Sequence, residues 1–208
     1  MKNKFWPPNS SEWTEVAPEE QGLDSKKIAA MFEFIEKQSY DIHSVIVVRN
    51  GYLLVEEYLL NSELLDIKEY SDQLPPKSYS GPIFHDQAST TKSLMSILIG
   101  IALQEGFLDN LSQTLYEFFA DIWEPSFVDS ELKKNITIEQ LLTMNSGLIG
   151  EWESNYPHGG YPPVDCIKLA LDDVPLGNTP GEAGKWVYSN DGPNLLSGII
   201  TNVTGKST

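Results

Sequence analysis

Residues 94 to 103 read LMSILIGIAL, an apolar run bounded by Lys92 and Gln104. It is about half of what a membrane span needs. A helix built from it is apolar on nearly every face, so it needs neighbours all round. A chain of 208 residues is long enough for one domain with a real core, or one domain plus a lobe. Gly106 follows as a natural C′ stop. Only Ser89 and Lys92, one turn apart at the helix start, resist this picture. Either Lys92 snorkels out of a core helix, with Ser89 a plain N-cap, or chemistry holds it inside.

The flanking segments predict a mixed α/β chain. Residues 1–22 read as an irregular lead-in with Pro7, Pro8 and Pro18, and residues 23–208 as one domain. In LDSKKIAAMFEFIEKQ, Ile28, Met31, Phe32 and Ile35 recur at helical spacing behind Asp24, a fitting N-cap. HSVIVVRNGYLLVEEYL then gives two β-rich runs joined by Asn50-Gly51, a strong hairpin signal. A helix followed by a hairpin implies a helix lying on an antiparallel sheet. Residues 71–87 are dense in Pro, Gly and Ser, as a long surface loop is. In NITIEQLLTMNSGL, Thr137 and Gln140 form a capping box. YPHGGYPP and PLGNTPGEAGKW are loops. In GPNLLSGIITNVTG, Leu195, Ile199, Ile200 and Val203 share a helical face. No internal repeat or low-complexity tract is present.

Composition removes several function classes. Thirty acidic against 14 basic residues give a net charge of −16, a field that repels phosphate backbones. Nucleic acid is not an expected partner. The single cysteine, Cys166, excludes an internal disulfide framework. His43, His85 and His158 are scattered, so neither a metal site nor a cofactor is expected. MKNKFWPPNSSEW has no apolar core of a signal peptide, which leans the expectation toward the cytoplasm. The sequons at Asn9, Asn135 and Asn202 would matter only in a secretory pathway.

Ser-x-x-Lys alone is a weak motif. A second copy, Ser130 to Lys133, sits beside Lys134 and reads as a solvated helix end. The first copy differs in context: Ser89 follows a loop and starts a helix, where orphan N–H groups and the dipole favour an anion. An alcohol needs an adjacent base to act as a nucleophile. A lysine serves as that base where desolvation or nearby cations lower its pKa. On this stretch alone, both readings stand.

Two further stretches weigh on the choice. Tyr188-Ser189-Asn190 is the one Tyr-x-Asn in the chain and lies just ahead of a helix. Between it and Ser89 comes LLTMNSGL, a helix ending in a tight turn. In this order, from about residue 16 onward, the three resemble the β-lactamase-related serine hydrolases of the penicillin-binding-protein type, class C-like branch. That branch includes D-alanyl-D-alanine carboxypeptidases, esterases and 6-aminohexanoate-dimer hydrolases. The resemblance implies an antiparallel sheet with a helical lobe, here about residues 107–187, in a β-lactamase/transpeptidase-like fold. It implies an acyl-serine reaction on a small-molecule or peptide-like amide or ester. By the same resemblance, Ser89 is the nucleophile, Lys92 its proton acceptor and Tyr188 the proton shuttle. Asn190 would orient Lys92 or the substrate amide, and the Ser89 N–H would form one arm of the oxyanion hole.

Rival motifs fail. No Gly-x-Ser-x-Gly elbow is present, nor the Ser-Asp-Asn of class A β-lactamases. The terminal GKST lacks the first glycine of a phosphate loop, since position 200 is Ile. One departure is notable. The family has a Lys/His-x-Gly strand after the tyrosine motif, and His158-Gly159-Gly160 has the letters in the wrong place. The expectation is therefore an N-terminal part of a larger enzyme, lacking C-terminal strands. Losing one oxyanion donor with them would slow ester turnover by ~100-fold or more. A competing reading is a non-catalytic ligand-binding or interaction domain that keeps the fold. Specificity belongs to loops, and Trp152, Tyr156 and Tyr161 are candidates for an aromatic wall.

Overall fold

A computed structural model of the chain describes residues 13–38, 40, 42–59, 87–150, 152–154, 156 and 165–207. The chain divides into two compact units, residues 1–85 and 86–208. Among the described residues there are seven α-helices and one two-stranded antiparallel sheet, so the fold is mixed α/β. None of the helices is long and apolar enough to cross a membrane.

In the first unit, α1 (Ser25–Gln38) begins where the Asp24 carboxylate accepts the Lys26 N–H at 2.9 Å. The hairpin of β1 (Ser44–Arg49) and β2 (Tyr52–Tyr58) turns at Asn50 and Gly51. Both take positive φ, 53° and 85°, as a type I′ turn demands. Val47 pairs with Val55 but Val48 with Leu53, so Leu54 forms a bulge that bends β2. Ile28 and Phe32 of α1 line a groove together with Leu53 and Val55. Residues 13–22, expected to be irregular, carry more order than that. The Val16 N–H donates to the Leu53 carbonyl at 3.1 Å and the Leu53 N–H to that of Thr14 at 3.0 Å. A 3-10 turn at Pro18–Gln21 follows.

The second unit has α7 (Asp191–Thr204) at its centre. Around it lie α2 (Thr91–Gln104), α3 (Leu115–Phe119), α5 (Ile138–Leu142) and α6 (Cys166–Asp172). Leu195, Leu196, Ile199 and Ile200 of α7 are buried in one core with Ile99, Phe119, Leu141 and Leu169. Gly198 lets two neighbours approach, since a Cβ there would stand 2.7 Å from Ile167 Cδ1 and 3.1 Å from Phe119 Cζ. The paired entries of α3 and α5 lock together. The Leu115 N–H donates to the Ile136 carbonyl at 2.8 Å and the Ile138 N–H to that of Gln113 at 3.1 Å. Thr137 and Gln140 close the expected capping box.

The helix α2 buries Met95, Ile99 and Ala102 and leaves Leu94, Ile97, Leu98 and Ile101 exposed. Its apolar residues run all round, while α7 covers one side. One expectation is corrected here: the expected solvated helix end is α4 (Ser130–Lys133), whose Ser130 and Lys133 are both buried. Lys133 Nζ donates to the carbonyls of Ala170 and Leu171 at 3.1 and 2.9 Å, satisfying the last turn of α6. Ser130 Oγ accepts from Trp123 Nε1 at 2.8 Å.

Burial pushes the Lys133 ammonium down from 10.5 to about 8, although Asp129, Asp172, Asp191 and Asp173 pull the other way. Because the folded value lies below the unfolded one, the unfolded chain holds more protons between these limits. Stability therefore rises with pH across the window from about 8 to 10.5. The gain at this one site is about 3 kcal/mol. Urea unfolding of wild type and Lys133→Met at pH 7.5 and 10.5 isolates it. The wild-type-minus-variant difference should grow by that amount, and a flat difference would refute the assignment.

Candidate active site

The 3-10 turn Ala88–Thr90 runs directly into α2, leaving Ser89 exposed and Lys92 half-buried one turn on. Ala88 is held at φ 40°, a left-handed conformation that costs a non-glycine residue about 1–2 kcal/mol. Backbone strain of this kind clusters at functional sites. Lys92 Nζ donates to Ser89 Oγ at 3.1 Å and to Asn190 Oδ1 at 2.5 Å. Tyr188 Oη donates to the same Ser89 Oγ. The Lys92 nitrogen also lies 4.8 Å from the centroid of the Tyr188 ring, in cation–π range.

Tyr188 reaches this point because its segment is seated on the turn after α5. Met144 takes φ 56° and Gly147 φ 82°, which reverses the chain. The Met144 carbonyl then accepts from the Val187 N–H at 3.0 Å, and that of Asn145 from Gly181 at 2.9 Å. With its amide oriented by its neighbours, Asn145 Nδ2 donates to the carbonyls of Glu182 and Lys185 at 3.2 and 2.8 Å. Gly150 completes the seat, since a Cβ there would lie 2.7 Å from the Tyr188 carbonyl oxygen. The three stretches on which the resemblance rests are thus one connected structure.

A buried polar cluster lies behind Asn190. Asp191 opens α7, where the helix dipole favours its carboxylate, and is fully buried. Its Oδ2 accepts from Ser189 Oγ at 3.3 Å, its Oδ1 from Tyr156 Oη at 3.4 Å, and its N–H donates to Ser189 Oγ at 3.1 Å. These bonds fix the Tyr188-Ser189-Asn190 corner from inside. Ser189, Asp191 and Tyr156 were missed as supports. The one signal for the first two is a Ser-x-Asp pattern at a helix start.

The aromatic-wall candidates divide. Trp152 is 89% exposed, Tyr156 turns inward to Asp191, and Tyr161 lies outside the described residues. His85 and the stretch 157–164, with His158-Gly159-Gly160, also lie outside them. Burial pushes the Cys166 thiol up, with Asp191 and Asp165 adding to it, so this cysteine is a poor competing nucleophile. Among the described residues, no three His, Cys, Asp or Glu side chains meet as metal ligands would.

Comparison with known proteins bears on the family and the fold. The chain resembles, over 98% of its length, the structure of a candidate 6-aminohexanoate-dimer hydrolase from Bacillus anthracis, with 19% identity and a TM-score of 0.58. It also resembles FmtA from Staphylococcus aureus over 99% of its length, with 15% identity and a TM-score of 0.55. The chain spans 51% and 49% of those two proteins, about half of each. No curated protein matches the sequence. The family model described as Beta-lactamase matches residues 28–208. By that match, and in the fold of the two structures, this chain belongs to the β-lactamase family.

Proposed function

We propose that the chain carries the acylating centre of a serine hydrolase, cleaving an amide or ester through an acyl-serine intermediate. One observation carries this reading: a lysine nitrogen and a tyrosine hydroxyl both converge on Ser89 Oγ. In the proposed first step, Ser89 Oγ attacks the substrate carbonyl carbon while its proton passes to Lys92 in its amine form. An amine that has taken this proton still donates to Asn190 Oδ1, which keeps it aimed. The negative charge on the carbonyl oxygen falls near the amide groups that start α2, where the helix dipole favours it. As the tetrahedral species collapses, the bond to the leaving amine or alcohol breaks and Tyr188 Oη supplies its proton. Lys92 returns a proton to the tyrosinate. Water then attacks the Ser89 ester, giving a proton to Tyr188 as Tyr188 passes its own to Lys92; when the ester bond breaks, Ser89 Oγ takes that proton back from Lys92 and the carboxylic acid leaves.

The test is chemical. Incubated with a fluorophosphonate, the chain should gain one adduct, and peptide mapping should find it on Ser89. Ser130, an equivalent letter pattern but buried against Trp123, should remain unmodified. An intact chain that takes no adduct at Ser89 would instead favour the non-catalytic binding domain.

A further inference from the structure

We propose that Trp186 is the platform for the leaving group, selecting substrates whose departing alcohol or amine carries a flat, apolar body. The inference rests on the serine-hydrolase reading above and adds a specificity determinant to it.

Residues 185–189 lie outside any helix or strand, and the contact between their rings puts Trp186 beside Tyr188. Val187, between them, points the other way, and its Cγ1 stands 3.5 Å from where a Gly150 Cβ would be. The Trp186 and Tyr188 rings meet at a centroid distance of 6.2 Å, tilted by 50°. Despite that contact, Trp186 remains 63% exposed, so most of a large apolar surface is open beside the Tyr188 ring.

Its place relative to the reaction follows from Tyr188. A group that hands its proton to the leaving atom must lie within hydrogen-bond reach of that atom. The body of the leaving group then extends from the Tyr188 hydroxyl, and the ring packed against Tyr188 is Trp186. A planar apolar group can stack there in an offset or edge-to-face manner, as aromatic pairs prefer. The acyl group, by contrast, is bonded to Ser89 and remains after the leaving group has gone. A residue that touches only the leaving group acts in acylation and has no part in deacylation.

That asymmetry gives the experiment. The chain is assayed with 4-chlorophenyl acetate and hexafluoroisopropyl acetate, which share an acyl group and have leaving groups of similar acidity but different shape. Trp186→Ala should lower the ratio of kcat/KM values, aryl over alkyl, by about tenfold. Trp186→Phe should keep most of the preference. A ratio within one variant is independent of the folded fraction, so loss of stability cannot mimic the result. Rapid-mixing kinetics should confine the change to acylation, since both esters leave the same acetyl-enzyme. An unchanged ratio, or a Trp186→Ala effect on deacylation, would overturn the inference while leaving the hydrolase reading in place. Wild-type chain that forms no acetyl-enzyme from either ester would remove both.

Discussion

Lys92→Met is expected to slow acylation of Ser89 by about 10³-fold, within the range that general-base catalysis supplies. Methionine keeps an unbranched stem of similar length, so the packing of the first turn of α2 is retained. What disappears is the group that donates to Ser89 Oγ at 3.1 Å and to Asn190 Oδ1 at 2.5 Å. The measurement is the second-order rate of fluorophosphonate labelling, with thermal unfolding as a check that the variant is folded. Asn190→Ala should cost less, because it removes a guide for the lysine and not the proton acceptor. Tyr188→Phe provides the opposing arm. If it slows acylation more than Lys92→Met does, tyrosine is the base and the two roles are exchanged.

How far the site could be read from letters depended on how local its chemistry is. Asn50-Gly51, the Asp24 cap and the Thr137–Gln140 box are each specified within a few residues, and each forms where expected. The burial of Lys133 is different in kind. Ser130-Glu131-Leu132-Lys133, beside Lys134, reads as a solvated helix end, yet Lys133 is buried while Leu132 is 51% exposed. The reason lies 37 and 38 residues on, where the carbonyls of Ala170 and Leu171 need a donor. No window around residue 133 contains that demand. Asp191 shows the same limit, since Tyr156, one of its partners, is 35 residues away. The central place of α7 likewise depends on distant partners, because Gly198 admits Ile167 and Phe119.

Gly147→Ala is expected to destabilise the chain by about 3 kcal/mol or more, from two separate causes. Gly147 takes φ 82°, so an alanine carries the left-handed penalty of about 1–2 kcal/mol. Its Cβ would also stand 2.3 Å from the Asn178 carbonyl oxygen and 3.2 Å from the Pro180 nitrogen. Both are backbone atoms, so no side chain can swing aside. Relief requires moving the strand of chain that donates to the Gly147 carbonyl through the Gly177 N–H at 2.9 Å. Such overpacking adds about 1–3 kcal/mol. Gly184→Ala separates the causes, because Gly184 takes φ 74° with nothing within 4 Å of its would-be Cβ. It should carry the conformational penalty alone. Urea unfolding of the two variants therefore measures the contact at residue 147 by difference. If they cost the same, residues 177–180 do not approach this turn in solution. The seat that holds the following segment, and Tyr188 with it, would then be wrong.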